Sequence, residues 1–231
     1  MAVSTIRHDE VVPEKIRRAP VTVIGVGAIG SRVGASLIEL GMQRVTFIDF
    51  DHIELHNLAN QIFNYEDLGL SKVEGMMNFF KAKTGHDPDD EYVFLEAKLE
   101  KDTSVVRYVR GTVFLLVDSM EQRKTIVEDI LENNVNVRTV IDVRMASTHG
   151  NVLTFDPHDP DEVQGWKDTL IDDDAAEVSA CGTSLTVGPT AAIFANIAVW
   201  QMINSRQAAG AVSPKINGFL VPNIFASENL K

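Results

Sequence analysis

The stretch Val21-Thr-Val-Ile-Gly25-Val-Gly27-Ala-Ile-Gly30 decides the fold. Its first four residues are β-branched and form a short unbroken run, the pattern of a strand buried on both faces. Three glycines follow at the spacing G-x-G-x-x-G. Ile29, Val33, Leu37 and Leu40 then recur at helical spacing, and Gly41 ends the helix. In this setting Gly25 permits a tight turn, Gly27 lets the backbone approach a phosphate, and Gly30 lets helix and strand pack closely. The free N–H groups and positive dipole end of the helix would face that phosphate. A second strand over 45–48 ends in Asp49-Phe-Asp51, so a carboxylate lies 19 residues after Gly30, where it can accept hydrogen bonds from ribose hydroxyls. Together these form a Rossmann-type nucleotide-binding unit. The glycine turn does not choose between NAD, FAD and ATP, and a turn kept for packing alone would carry the same glycines.

Strand and helix signals alternate beyond this unit. Ser71 caps a helix to about Lys83, with Glu74 in capping-box position. The pattern predicts strands over 92–95, 112–117, 139–143 and 151–155, the last turning back antiparallel after Gly150. It predicts helices over 105–109 and 121–131. The expected fold is therefore α/β: a Rossmann-like, doubly wound, mostly parallel sheet with some antiparallel strands on the C-terminal side. Gly188-Pro189 opens a further helix to about Met202, with proline at its favoured first position. Ala191, Ala192, Ala195 and Ala198 would let that helix pack closely on a neighbour. The chain reads as one domain. An N-terminal arm covers 1–20, the Rossmann-like core 21–155, an acidic crossover loop with weak periodicity and two prolines 156–180, and a C-terminal helix and strand part 181–231.

Composition narrows the function. The 231 residues carry 33 acidic and 21 basic side chains, a net charge of -12, with no dense basic run. A duplex-binding surface would meet phosphate repulsion, so nucleic acid is not expected as the ligand. No apolar run reaches the roughly 18–20 residues a membrane helix needs. Met1 to Arg18 is polar and mixed in charge, unlike a signal peptide. The single cysteine, Cys181, excludes an internal disulfide and an all-cysteine zinc site, and suits a reducing cytoplasm. His149, His158 and the other histidines show no metal-ligand spacing, so they read as surface or packing residues.

The residues after the second strand point further. They read Asp49-Phe-Asp51-His-Ile-Glu-Leu-His-Asn57-Leu-Ala-Asn60-Gln61, then Gly69-Leu-Ser-Lys72-Val-Glu74 and Asp118-Ser-Met-Glu-Gln-Arg123. In these motifs, over about 21–204, the chain resembles the ThiF/MoeB/HesA family of ubiquitin-activating-type adenylyltransferases. That resemblance implies an enzyme that uses ATP and Mg2+ to adenylate a carboxylate and release pyrophosphate, commonly as a homodimer. The implied partner is a small ubiquitin-like or sulfur-carrier protein or peptide with a C-terminal glycine. By position, Gly25, Gly27 and Gly30 would hold the phosphates and Asp49 the ribose. Asp51, Asn57, Asn60 and Gln61 would line the nucleotide pocket, Lys72 would meet the phosphates, and Asp118 would sit by magnesium. Plainer readings stand beside these. Lys72 can be a solvated lysine at a helix start, Asp118 only a helix cap, Asn57 and Gln61 turn and surface residues, and Arg123 the partner of a carboxylate on its own helix.

The sequence departs from the family pattern at Asn60, where the family carries an arginine that contacts the triphosphate. Family members also bring an arginine across the dimer from the N-terminal segment; Arg7, Arg17 and Arg18 are available, and Arg7 is the first choice. Cys181 holds the place of a cysteine that in some members links covalently to the activated carrier, although a buried small hydrophobe is an equally simple reading. The zinc-binding CxxC pairs of many relatives are absent, so no zinc is expected. The leading expectation is an ATP-dependent adenylyltransferase. A non-catalytic nucleotide-binding interaction module is the alternative that Asn60 motivates. An NAD(P)-dependent oxidoreductase would keep the glycine turn and Asp49 but leave Lys72 and Asp118 without a role.

Overall fold

The computed structural model describes residues 7, 9–147, 149–171, 188–207 and 217–220. After a short helix α1 (Glu14–Arg17), the strands are β1 (Val21–Ile24), β2 (Val45–Asp49), β3 (Tyr92–Glu96), β4 (Gly111–Leu115), β5 (Val137–Met145), β6 (His149–Phe155) and β7 (Asn217–Leu220). They form a sheet of order β3-β2-β1-β4-β5-β6-β7. From β3 to β5 all pairs are parallel, and β5–β6 and β6–β7 are antiparallel. This is the mixed, doubly wound sheet that the alternating pattern predicts.

Helices α2 (Ala28–Glu39), α3 (Lys72–Thr84) and α6 (Gly188–Gln207) cover one face. Val33, Leu37, Val73, Met76, Phe194 and Ala198 pack there on Phe47, Phe114 and Ile141. Helix α6 lies on α2, and its Ala191, Ala195 and Ala198 have no exposed surface, which lets the backbones come close. The other face is covered by α4 (Met120–Ile126), the π-helical turn Val127–Leu131 and α5 (Pro160–Lys167). Ile126, Leu131, Val163 and Trp166 pack there on Ile24, Val113 and Leu115. Among the described residues no helix is long and apolar enough to cross a membrane.

Several boundaries depart from the sequence reading. Residues 156–167, expected as loop, include helix α5. Asp159 caps it by accepting from the N–H groups of Asp161 and Glu162, and Pro160 stands in the first turn, where its missing N–H is harmless. Pro160, taken as a loop signal, thus marks a helix start, and Val163 and Trp166 supply a buried edge three residues apart. The expected helix over 105–109 is a 3-10 turn, Ser104–Tyr108, with no fully buried residue. The expected helix over 121–131 changes pitch after Ile126. Helix α3 matches expectation: Ser71 and Glu74 form the capping box, and Gly85 closes the helix at φ 73°.

The turn between β1 and α2 needs its glycines for distinct reasons. Gly25 has φ 90°, a left-handed conformation that suits glycine. A Cβ on Gly30 would lie 1.9 Å from the Gly25 carbonyl oxygen, whereas one on Gly27 would meet nothing within 4 Å. Gly30→Ala should therefore destabilise the fold by about 3 kcal/mol, the upper end of ordinary overpacking. Gly27→Ala should cost no more than about 1 kcal/mol, the scale of an N-cap change. Urea unfolding of both variants checks this, and equal losses would mean that close packing is not what residue 30 provides.

Candidate functional site

A cleft of about 1200 Å³ opens at the carboxyl ends of β1, β2 and β4. This is where the sheet changes direction: β1 leads into α2 on one face and β4 into α4 on the other. Ligands of open α/β sheets bind at such a switch point. The cleft is lined by Gly25, Gly27, Asp49, Asp51, Asn57, Asn60, Gln61, Lys72 and Asp118, together with Arg123 and Arg144. Gly30 stands behind this surface, in the contact between turn and helix.

Asp49 ties the strand ends together. Its Oδ2 accepts from the Val26 N–H at 2.5 Å and its Oδ1 from the Asp51 N–H at 2.8 Å. Burial pushes the Asp49 carboxyl above its ordinary range, against the opposing pull of the Lys72 ammonium and the two backbone donors. Each oxygen keeps a second lone pair for a ligand hydroxyl.

Lys72 begins α3 but is not a solvated helix-start lysine: its side chain is 10% exposed. The Nζ donates to Asp51 Oδ2 at 2.6 Å, and the backbone N–H to the Asp51 carbonyl at 2.9 Å. A compact ammonium thus sits at the cleft wall, held by a half-exposed carboxylate. The loop between β2 and α3 is shaped by Asn57, whose Oδ1 accepts from the Glu54 N–H at 2.8 Å and caps the 3-10 turn Leu55–Ala59. Asn57 therefore serves the turn and lines the cleft at once. Gln61 Oε1 is buried without a hydrogen-bond partner among the described residues.

Asp118 is exposed in the turn after β4. It is not the cap of α4. Ser119 takes that place, its side chain accepting from the Gln122 N–H. Behind Asp118 lies a buried charged cluster. Asp142 on β5 has no exposed surface and holds the guanidinium groups of both Arg123 and Arg144. The Trp166 Nε1–H donates to its Oδ2 at 2.8 Å. Arg123 was expected to pair on its own helix; it crosses to β5 instead, because α4 packs against that strand. It also donates to the Leu115 and Val117 carbonyls. Burial pulls its pKa down and Asp142 opposes this, while the guanidinium stays charged. Arg144 further donates to Thr169 and lies 5.7 Å from the centre of the Trp166 ring. The cluster fastens α5 to the floor of the cleft.

The sequence reading passed over Asp142 and Arg144. Their signal was two charges at alternate positions of a strand otherwise read as buried, which places both on one face. Of the N-terminal arginines, Arg17 bonds Asp9 and Val12, Arg18 pairs with Glu14, and Arg7 is exposed. Cys181 lies outside the described residues. His149 lines the cleft, and His158 Nε2 is 3.0 Å from the Val137 carbonyl.

Residues 1–225 match the ThiF family. The chain belongs to that family. Among curated relatives, it is 41% identical to ubiquitin-like modifier-activating enzyme 5 of Xenopus laevis over 61 residues, covering 26% of this chain and 15% of the relative. The Aedes aegypti protein of the same name is 39% identical over an equal span. The match thus covers about 15% of the length of these relatives. E. coli MccB solved with ATP superposes with a TM-score of 0.64 at 15% identity, over 92% of this chain and 66% of that one. MccB has also been solved with AMPCPP and MccA, at a TM-score of 0.62, 15% identity and the same coverage. E. coli tRNA N6-threonylcarbamoyladenosine dehydratase, TcdA, in complex with AMP gives 0.61 at 18% identity, over 87% and 93%. At these identities the superpositions show a shared fold.

Removing Asp142 would leave two buried guanidinium groups without their carboxylate. Asp142→Ala should cost about 3–5 kcal/mol of stability, the usual penalty for breaking a buried pair. Urea unfolding followed by Trp fluorescence measures it. A loss under about 1 kcal/mol would mean that the cleft wall does not depend on this cluster.

Proposed function

We propose that this ThiF-family chain is an ATP-dependent adenylyltransferase that activates the C-terminal carboxylate of a small ubiquitin-like or sulfur-carrier protein or peptide. The observation that carries the reading is the convergence, on one cleft, of a glycine turn at a helix N-terminus, a buried lysine and an exposed aspartate from the next strand end. A dehydrogenase would use the first and leave the other two idle. The overlap with activating enzymes and the likeness to MccB, solved with ATP and with MccA, support the same reading.

In this reaction a carboxylate oxygen attacks the α-phosphorus of ATP. The new O–P bond makes the acyl adenylate, the α–β bridging bond breaks, and pyrophosphate leaves. Negative charge builds on the phosphate oxygens. The backbone N–H groups opening α2 face that charge across Gly27, where nothing obstructs close approach. Lys72, a compact charge on a flexible stem, moves from Asp51 onto the phosphates. Asp49 accepts from the ribose hydroxyls while it keeps the glycine turn in place.

The fit of magnesium follows from the donor set. Among the described residues no group of three or more His, Cys, Asp or Glu side chains could hold a metal by itself. A single carboxylate, Asp118, suits a magnesium ion that takes its remaining ligands from phosphates and water. When bound there, the ion would neutralise charge on the phosphates of ATP.

Asn60 favours a second reading, in which the chain binds nucleotide and a protein partner without turnover. ATP–pyrophosphate exchange, measured with candidate small proteins ending in glycine, separates the two. Carrier-dependent exchange is expected. Asp118→Ala and Lys72→Ala should each lower it about 100-fold, the scale of removing one transition-state contact, with thermal unfolding preserved. Undiminished exchange in either variant would remove that residue from the site. ATP binding without exchange in the presence of the native carrier would favour the interaction module.

A further inference from the structure

Arg32 stands in the second turn of α2 and makes no hydrogen bond or ion pair with any described residue. Its Nε is buried without a partner. A guanidinium carries five donors and stays charged, and a buried donor left unmade costs about 1–3 kcal/mol. That arrangement is sustained where the acceptor arrives with a ligand.

Three features say which ligand. Long helical side chains run back toward the helix N-terminus, over the residue four positions earlier. For Arg32 that residue is Ala28, which lines the cleft, although Arg32 itself is not part of that lining. The first turn of α2 holds no acidic side chain to claim the charge. The tip of the side chain also lies beside the loop between β2 and α3. The point where a Cβ on Gly188 would stand is 3.3 Å from Arg32 Nη2, 3.2 Å from the Ala59 carbonyl oxygen and 3.6 Å from Asn60 Cα. Glycine at 188 therefore leaves room for the guanidinium, and a neutral residue at 60 spares it a like charge at close range.

We propose that Arg32 binds the β- and γ-phosphates of the nucleotide, supplying from α2 the cation that residue 60 lacks. The inference rests on the ATP-binding reading above. An arginine suits the role because its planar fork can meet phosphate oxygens in pairs. The arrangement also predicts how residues 32 and 60 depend on one another. With Arg32 present, Asn60→Arg crowds two guanidinium groups together and brings no gain. With Arg32 removed, the same change restores the missing charge.

The test is calorimetric titration of the full chain with MgATP and, separately, with AMP, which lacks the β- and γ-phosphates. Arg32→Ala should weaken MgATP binding about tenfold, which is about 1.4 kcal/mol, and leave AMP binding within about twofold. Arg32→Lys should retain part of the affinity, and Arg32→Ala with Asn60→Arg should recover most of it. Arg32→Gln, which keeps the stem and loses the charge, serves if the alanine variant does not fold. Equal weakening of AMP and MgATP would reduce Arg32 to a structural residue and overturn the proposal, as would unchanged MgATP binding. If the unaltered protein binds neither nucleotide, the ATP-binding reading itself fails and takes this proposal with it.

Discussion

The contact between Gly30 and the Gly25 carbonyl is the constraint on which the rest of the molecule depends. With no carbon at that position, α2 can start directly above the end of β1. Its open N–H groups then face the cleft. Asp49 fixes the same turn from the other side by accepting from Val26, so β1 and β2 end at one height. The register of β1 on β2 and β4 carries this alignment across the sheet. Asp51, Lys72 and Asp118 thereby open onto one volume although they are far apart in sequence.

A second constraint works from the opposite wall. Asp142 is fully buried and gathers two arginines and an indole from three elements. Replacing such clusters with apolar residues is often neutral for stability, so their presence is weak support for a stabilising role. What this one provides is placement. Arg123 bonds the carbonyls of Leu115 and Val117, just before Asp118, and Arg144 bonds Thr169 beyond α5. The exposed aspartate therefore stands on a segment tied down from behind, which is how a surface carboxylate keeps a defined position.

Features governed by short-range rules were legible in the sequence. The glycine turn, the capping box at Ser71 and Glu74, and the mostly parallel sheet implied by alternation all express local geometry or handedness. Helix α5 escaped because Pro160 was read by its presence alone; its place one residue after the capping Asp159 is what matters. Arg123 was misread because its partner is set by packing between α4 and β5, and sequence distance on one helix carries no information about that. Arg32 gave no signal at all. An arginine in a helix interior is ordinary until the neighbouring loop and the head of α6 are seen around it.

The charge balance of the cleft explains why such an arginine matters. At a net charge of -12 the molecule repels a polyphosphate at long range, so binding depends on local fields that salt screens little. Lys72 is half spoken for, since Asp51 holds its ammonium at 2.6 Å. Asp49 adds a further carboxylate at the same wall. The helix N-terminus contributes roughly half a positive charge. Set against two carboxylates, one lysine and a helix dipole would leave the proposed phosphate site with no clear excess of positive charge. A guanidinium unpaired among the described residues, one turn into α2, would reverse that balance without adding a charge at the point where the loop between β2 and α3 must turn. The neutral residue at position 60 is then compatible with a charged ligand, because the positive charge stands on the neighbouring helix.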